Sequence, residues 1–272
     1  MEKEFYKKLK SKTLNDIVSG KITYDKLDNI LRADKEIVLE AIRHESFVYY
    51  DVPKSLKDDR EIVIASLKKY GLMLEFVSDE LKKDREIVFT AVKQCGFALK
   101  YADKIYKEDK EIVYEAIKSD GWALQFVGRK FLRDPNFLFS AVKYHGYAFE
   151  LLPKKYKKDK TFIEKCIKEH GYILRFIDLK LRLNYLFLEK LVKINGYCLK
   201  YIPDVYKDDL NLALLAVKQN GLSISFVEGN LRKNKEIIIE AIKQNRESYD
   251  FVDNSMKLDK DVSAAFMQYS MI

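Results

Sequence analysis

The chain has 272 residues, 47% hydrophobic and 34% charged, with a net charge of +8, so it can bury a continuous core and stay soluble. No apolar run approaches the ~18 residues that cross a bilayer, and the N-terminal MEKEFYKKLK has no apolar core of a secretory signal, so neither membrane insertion nor signal-directed secretion is expected. Cys95, Cys166 and Cys198 are an odd number at unrelated positions, which is no disulfide framework and points to a reducing, intracellular setting.

Residues 1–33 form an irregular entry. Two short helical patterns, around Glu4–Leu9 and Leu14–Val18, precede Tyr24, Leu27 and Leu31, whose spacing matches the second half of the repeat that follows. An N-terminal helical cap over the first apolar face is the expectation, since terminal units of stacked repeats are atypical.

From residue 34 to 258 the chain repeats every 25 residues, nine times, without insertion or deletion. Each unit opens on Asp34, Asp59, Asp84, Asp109, Asp134, Asp159, Asn184, Asp209 or Asn234. Such a side chain accepts hydrogen bonds from the free amides of a helix start, and Glu61, Glu86 and Glu111, two residues on, suit the positive end of the dipole. Apolar residues follow in a wide stripe, as in Ile87, Val88, Phe89, Ala91 and Val92, which predicts a helix covered on two sides. Seven residues after the Asp the stripe narrows to Ala41, Ser66, Ala91, Ala116, Ala141, Cys166, Leu191, Ala216 and Ala241, which implies close approach of a neighbouring helix.

Twelve residues after the Asp stands glycine in seven consecutive units, Gly71 to Gly221, with Ser46 and Arg246 in its place in the first and last. Glycine just past a helix often supplies positive φ, and a helix end there is the reading. A second short helix, such as Phe97–Ala102 or Trp122–Val127, and a last turn, Lys104–Lys107, complete the unit. Pro53, Pro135, Pro153 and Pro203 all fall at helix starts, where proline is tolerated. Residues 259–272 repeat the opening once more but put Phe266 in the small position, as a C-terminal capping helix would. The fold expected is all-α: an α-solenoid, a superhelical array of about nine 25-residue helix–short-helix repeats with terminal caps.

The pattern D-x-E-I-V-x-x-A-V-K-x-x-G-x-A-L-x-[FY] resembles the repeat of the domain-of-unknown-function 4116 family over residues 34 to about 258. That resemblance implies helical repeats and brings no activity and no catalytic residues.

Candidate sites come from the residues alone. A cation recurs nine residues after the Asp (Arg43, Lys68, Lys93, Lys118, Lys143, Lys168, Lys193, Lys218, Lys243), and pairing with Glu40, Glu115, Glu164, Glu189 and Glu240 on the same helix explains its spacing. Residues 153–182 hold ten Lys or Arg against four acids, so a basic edge is drawn through Arg129, Lys130, Arg133, Lys154, Lys155, Lys157, Lys158, Lys180 and Arg182. Phe97, Trp122, Tyr147, Tyr172 and Tyr197 follow the glycines and read as one face of the short helix packed into the core, with a candidate aromatic groove for stacking or peptide binding as the alternative. His145 and His170 lie one repeat apart, too far to share a metal ion. No nucleophile elbow, metalloprotease, phosphate-loop or dinucleotide pattern occurs. The expectation is a monomeric, non-enzymatic scaffold without metal or cofactor, whose partner is a protein or peptide. The alternative is a nucleic-acid-binding array using the basic edge around residues 129–182.

Overall fold

The computed structural model describes residues 2–45 and 47–268; Ser46, which takes the glycine position of the first repeat, lies outside them. Every element among the described residues is helical, and the chain forms two compact units, Met1–Arg133 and Asp134–Ile272.

The first unit contains α1 (Glu2–Val18) and four ten-residue helices, α2 (Lys35–His44), α3 (Arg60–Lys69), α4 (Arg85–Gln94) and α5 (Lys110–Ser119), each packed on the one before. The second contains α6 (Pro135–Tyr144), α7 (Lys160–Glu169), α8 (Tyr185–Ile194), α9 (Leu210–Gln219), α10 (Lys235–Gln244) and α11 (Lys260–Gln268), packed in the same succession. Short 3-10 helices such as Gly71–Phe76, Gly96–Lys100 and Gly196–Tyr201 form a second layer within each unit. The short second helix expected from the sequence is thus a tighter 3-10 turn, the form that brief runs of five or six residues favour.

The opening residue of every repeat caps its helix. Asp84 Oδ1 accepts from the Glu86 and Ile87 amides at 2.8 and 3.2 Å, and Asn184 accepts from Phe187 at 3.0 Å. Inside the helix, Ile87, Val88, Ala91 and Val92 are fully buried, and the same four positions are buried in every repeat helix from α2 to α10. Ala98 and Leu99 of the following 3-10 turn close the core from the second layer.

Three expectations are corrected. The glycines twelve residues after the Asp do not supply positive φ: among the described residues only Gly20 and Gly229 do so among glycines. The helix ends instead on an extended residue, Cys95 at φ −147°, whose amide bonds the Ala91 carbonyl. Gly96 then needs to be glycine because a Cβ would fall on the carbonyl oxygen of Ala116 in the next repeat. The positive-φ stop does occur at Gly20, behind α1, where its amide bonds Ile17 at 3.0 Å. Second, α1 is one helix rather than two. Thr13 bridges the expected gap, buried, with its hydroxyl donating to the Leu9 carbonyl at 3.0 Å. Third, the Glu164 carboxylate pairs with Lys190 of the next repeat at 2.7 Å rather than with Lys168 of its own helix.

Candidate functional site

The polar residues that join successive repeats occupy positions that sequence reasoning passed over. One residue after the capping Asp, and at Lys10 of α1 in the same register, a cation reaches the cap and the Glu of the next unit. Lys10 meets Asp34 and Glu36 at 2.9 and 2.7 Å, Lys35 meets Asp59 and Glu61 at 2.9 Å each, and Arg60 meets Asp84 at 3.1 Å and also Glu86. Arg85 continues the ladder to Glu111 at 2.5 Å. Arg60 holds the Asp84 carboxyl below its ordinary range. At Asp34 and Asp59 burial pulls upward and is outweighed by Lys10 and Lys35, so these carboxyls are lowered too. A further set lies 23 residues after the Asp: Lys57, Lys107 and Lys207 donate to the carbonyls of Tyr50, Lys100 and Lys200, neutralising the ends of 3-10 turns. The recurrence of Lys or Arg at both positions was the available signal.

Ten residues after the Asp, side chains satisfy the amide of the preceding repeat's glycine. Gln94 accepts from Gly71 at 2.6 Å, Ser119 from Gly96 at 3.1 Å and Gln219 from Gly196 at 2.5 Å. In the middle of the second unit other groups take over. The Tyr172 hydroxyl lies against the Gly146 and Tyr147 amides, His170 Nε2 lies 3.1 Å from the Lys143 carbonyl, and Asn195 Nδ2 donates to Ile167 at 2.9 Å. His145 and His170 therefore sit at helix ends, where the ring of each also packs beside Tyr147 and Tyr172. Cys166 and Cys198 are buried thiols, and burial pushes Cys166 up to about 12, which leaves it unreactive as a nucleophile.

The cation nine residues after the Asp is exposed in all nine repeats. Arg43, Lys193 and Lys243 make the expected pairs with Glu40, Glu189 and Glu240 at 2.6, 2.8 and 2.9 Å. Lys143 instead reaches Glu169 of the next repeat at 3.9 Å.

The basic-edge residues are divided between the units. In the first, Arg129, Lys130 and Arg133 are exposed, and the Lys130 ammonium donates to the Glu108 carbonyl at 2.6 Å. In the second, Lys154, Lys155, Lys158 and Lys180 are exposed. Lys157 donates to the Glu150 carbonyl, and Arg182 is half-buried with its Nε shielded from solvent.

The aromatic positions form a half-exposed rim rather than a core, because the inward residues of each 3-10 turn are the small and aliphatic ones. In the first unit Phe97 meets Phe126 of the next repeat edge-on at 4.9 Å, and Trp122 is exposed. In the second, Tyr147 and Tyr172 stand beside histidines, and Tyr197 meets Phe226 edge-on at 5.0 Å. Lys100 lies over Phe97 and Tyr101, and Lys200 over Tyr197, Tyr201 and Phe226, all within 5.0–5.7 Å of the ring centres.

The most exposed aromatic group was missed. Phe47, Tyr50, Tyr70 and Phe76 are 51, 44, 42 and 47% exposed and touch one another in sequence: Phe47–Tyr70 at 5.2 Å, Phe47–Tyr50 at 6.1 Å, Tyr50–Phe76 at 4.6 Å. Phe47 is also the one described non-glycine residue with positive φ, at 68°. The signal was present in the sequence: Tyr50 and Tyr70 stand at repeat positions that hold no other aromatic apart from the histidines.

No curated protein and no solved structure matches the chain. A family model described as Domain of unknown function (DUF4116) matches it seven overlapping times, at residues 34–82, 59–107, 84–133, 109–155, 134–182, 184–232 and 210–257. Those matches follow the same register as the capping Asp and its glycine, and the chain belongs to this helical-repeat family.

Proposed function

We propose that the protein is a non-enzymatic scaffold whose first unit docks a protein segment on the Phe47–Tyr50–Tyr70–Phe76 cluster. The observation that carries this reading is a set of four neighbouring rings, each left more than two-fifths exposed. Contiguous apolar surface of that kind marks interaction sites, and aromatic anchors dominate their energetics. Asp51 and Glu75, both exposed, immediately follow Tyr50 and precede Phe76, so the partner segment carries apolar side chains next to Lys or Arg. Left-handed backbone at Phe47 costs roughly 1–2 kcal/mol, and strain of this sort persists where it presents a side chain for use.

The nucleic-acid reading of residues 129–182 draws less support, because Lys130 and Lys157 are engaged by backbone carbonyls and Arg182 is half-buried.

The test separates binding from folding. A photo-crosslinking residue at Tyr50, introduced into the full chain in its native cell, should give a discrete protein adduct. Phe47→Gly removes the ring while relieving the positive φ, so it should abolish the adduct without lowering the melting temperature. A discrete adduct that survives Phe47→Gly, or none at all, overturns the reading.

A further inference from the structure

We infer that Arg175 and Lys200, with the rings Phe176, Tyr197, Tyr201 and Phe226, form a binding surface for single-stranded nucleic acid on the second unit. The surface combines two neighbouring positions of the repeat. Sixteen residues after the Asp stands an exposed cation in two consecutive units, Arg175 and then Lys200. The next residue is aromatic in each, Phe176 and Tyr201, and Phe226 extends the row into a third unit.

The groups converge. Arg175 lies 5.1 Å from the Phe176 ring centre, and their 3-10 turn, Gly171–Phe176, packs on Gly196–Tyr201 of the next repeat. Lys200 stands 5.7, 5.6 and 5.4 Å from the centres of Tyr197, Tyr201 and Phe226. Tyr197 joins the two rows, tilted to Tyr201 at 5.8 Å and edge-on to Phe226 at 5.0 Å. All four rings are half-exposed. At the same repeat position Glu150 stands one unit before Arg175, and Ser225 and then Asp250 follow Lys200, so the cationic stretch is two units long.

A ligand that matches this surface must offer an anion and a flat apolar face, and offer them repeatedly. Single-stranded nucleic acid does so, with one phosphate and one base per nucleotide, and its sequence-tolerant binding uses cations with stacking aromatics. An acidic peptide answers the two cations and leaves the rings unused. A duplex hides its base faces and is read by elements that enter a groove.

The experiment is fluorescence anisotropy of the full chain with short labelled oligothymidylate and oligouridylate over a salt series. Binding should weaken linearly on a log–log salt plot, and Arg175→Gln with Lys200→Gln should flatten the slope by about 1.4, at ~0.7 per phosphate contact on single strands. Tyr201→Leu and Phe226→Leu should each weaken binding roughly 5- to 150-fold at unchanged slope if one stacked base is lost per ring. Circular dichroism and melting of each variant confirm that the fold survives. The inference is overturned by no binding at low salt. It is also overturned if Lys154→Gln with Lys155→Gln abolishes binding while the Arg175 and Lys200 changes do not. Equal competition by polyglutamate overturns it in favour of a general polyanion surface.

Discussion

The first unit, Met1–Arg133, and the second, Asp134–Ile272, are built on one 25-residue spacing yet join their repeats differently. In the first, a ladder of cations from Lys10 to Arg85 bonds each cap to the next, and Gly71 and Gly96 approach the carbonyls of Ala91 and Ala116 too closely for a Cβ. In the second, Pro135, Tyr185 and Leu210 replace the cation, which Lys160 keeps, and Cys166 and Leu191 replace the alanine. There Gly171 no longer rests on a carbonyl: a Cβ would meet the Asn195 side chain at 2.8 Å and Tyr197 Cβ at 3.0 Å. Tyr172 and His170 bridge α7 back to the repeat of α6, and Asn195 bridges α8 back to α7, with hydrogen bonds. Beyond it, Gly196 and Gly221 return to the carbonyls of Ala216 and Ala241, and Lys235 restores the ion pairs to Asp259 and Asp261 at 2.7 and 3.1 Å. Close backbone contact and side-chain bridging are thus two solutions to the same interface, the second found where Cys166 and Leu191 stand in place of alanine.

Four tests would break or sharpen that contrast. The largest effect belongs to Leu191→Ala. Leu191 is buried, and its truncation should cost about 2–5 kcal/mol in denaturant melts even though alanine is the usual residue there. A neutral result would mean that the helices close up freely and that Leu191 does not set their spacing.

Next come the glycines. Gly96→Ala drives a Cβ into the rigid Ala116 backbone and should cost about 1–3 kcal/mol as overpacking. Gly171→Ala meets mostly the movable end of Asn195 and should cost clearly less in the same assay. Equal losses would return the glycine's role to conformation rather than contact.

The caps allow a finer comparison. Asp84→Ala and Asn184→Ala each remove a helix cap, worth roughly 0.5–2 kcal/mol. Asp84 also loses Arg60, so its substitution should be the more damaging of the two by urea unfolding. If the two match, the ion-pair ladder adds nothing to the first unit.

The smallest effect is the response to acid. The Asp34, Asp59 and Asp84 carboxyls titrate below their ordinary range in the folded chain. Their contribution is present above the unfolded value near ~3.9 and is lost as pH falls through the lower folded values. Hydrogen exchange read peptide by peptide at pH ~3 should therefore show the repeats from α2 to α4 opening before those around α8, whose cap is the neutral Asn184. Uniform opening would contradict a ladder confined largely to the first unit.

The amino-acid sequence alone determined the period, the all-helical class, the capping role of the Asp and Asn residues and the buried faces, because each follows from contacts within one helix or from a pattern repeated in register. It also marked the helix starts at Pro53, Pro135 and Pro203, though Pro153 opens only a turn, and identified Phe266 as a breach of the small position; in the structure that ring is half-exposed and stacks on Tyr249 at 3.9 Å. What only the tertiary structure decided lies between repeats. Glycine at position 96 reads equally well as a φ requirement or as a close approach, and the choice depends on a carbonyl 20 residues away. The Lys10-to-Arg85 ladder joins residues 24 to 26 apart, a separation at which sequence gives no geometry. The same holds for the rings of Phe47, Tyr50, Tyr70 and Phe76: helical spacing sets which side each leaves its own turn, whereas their meeting depends on how one turn stacks on the next.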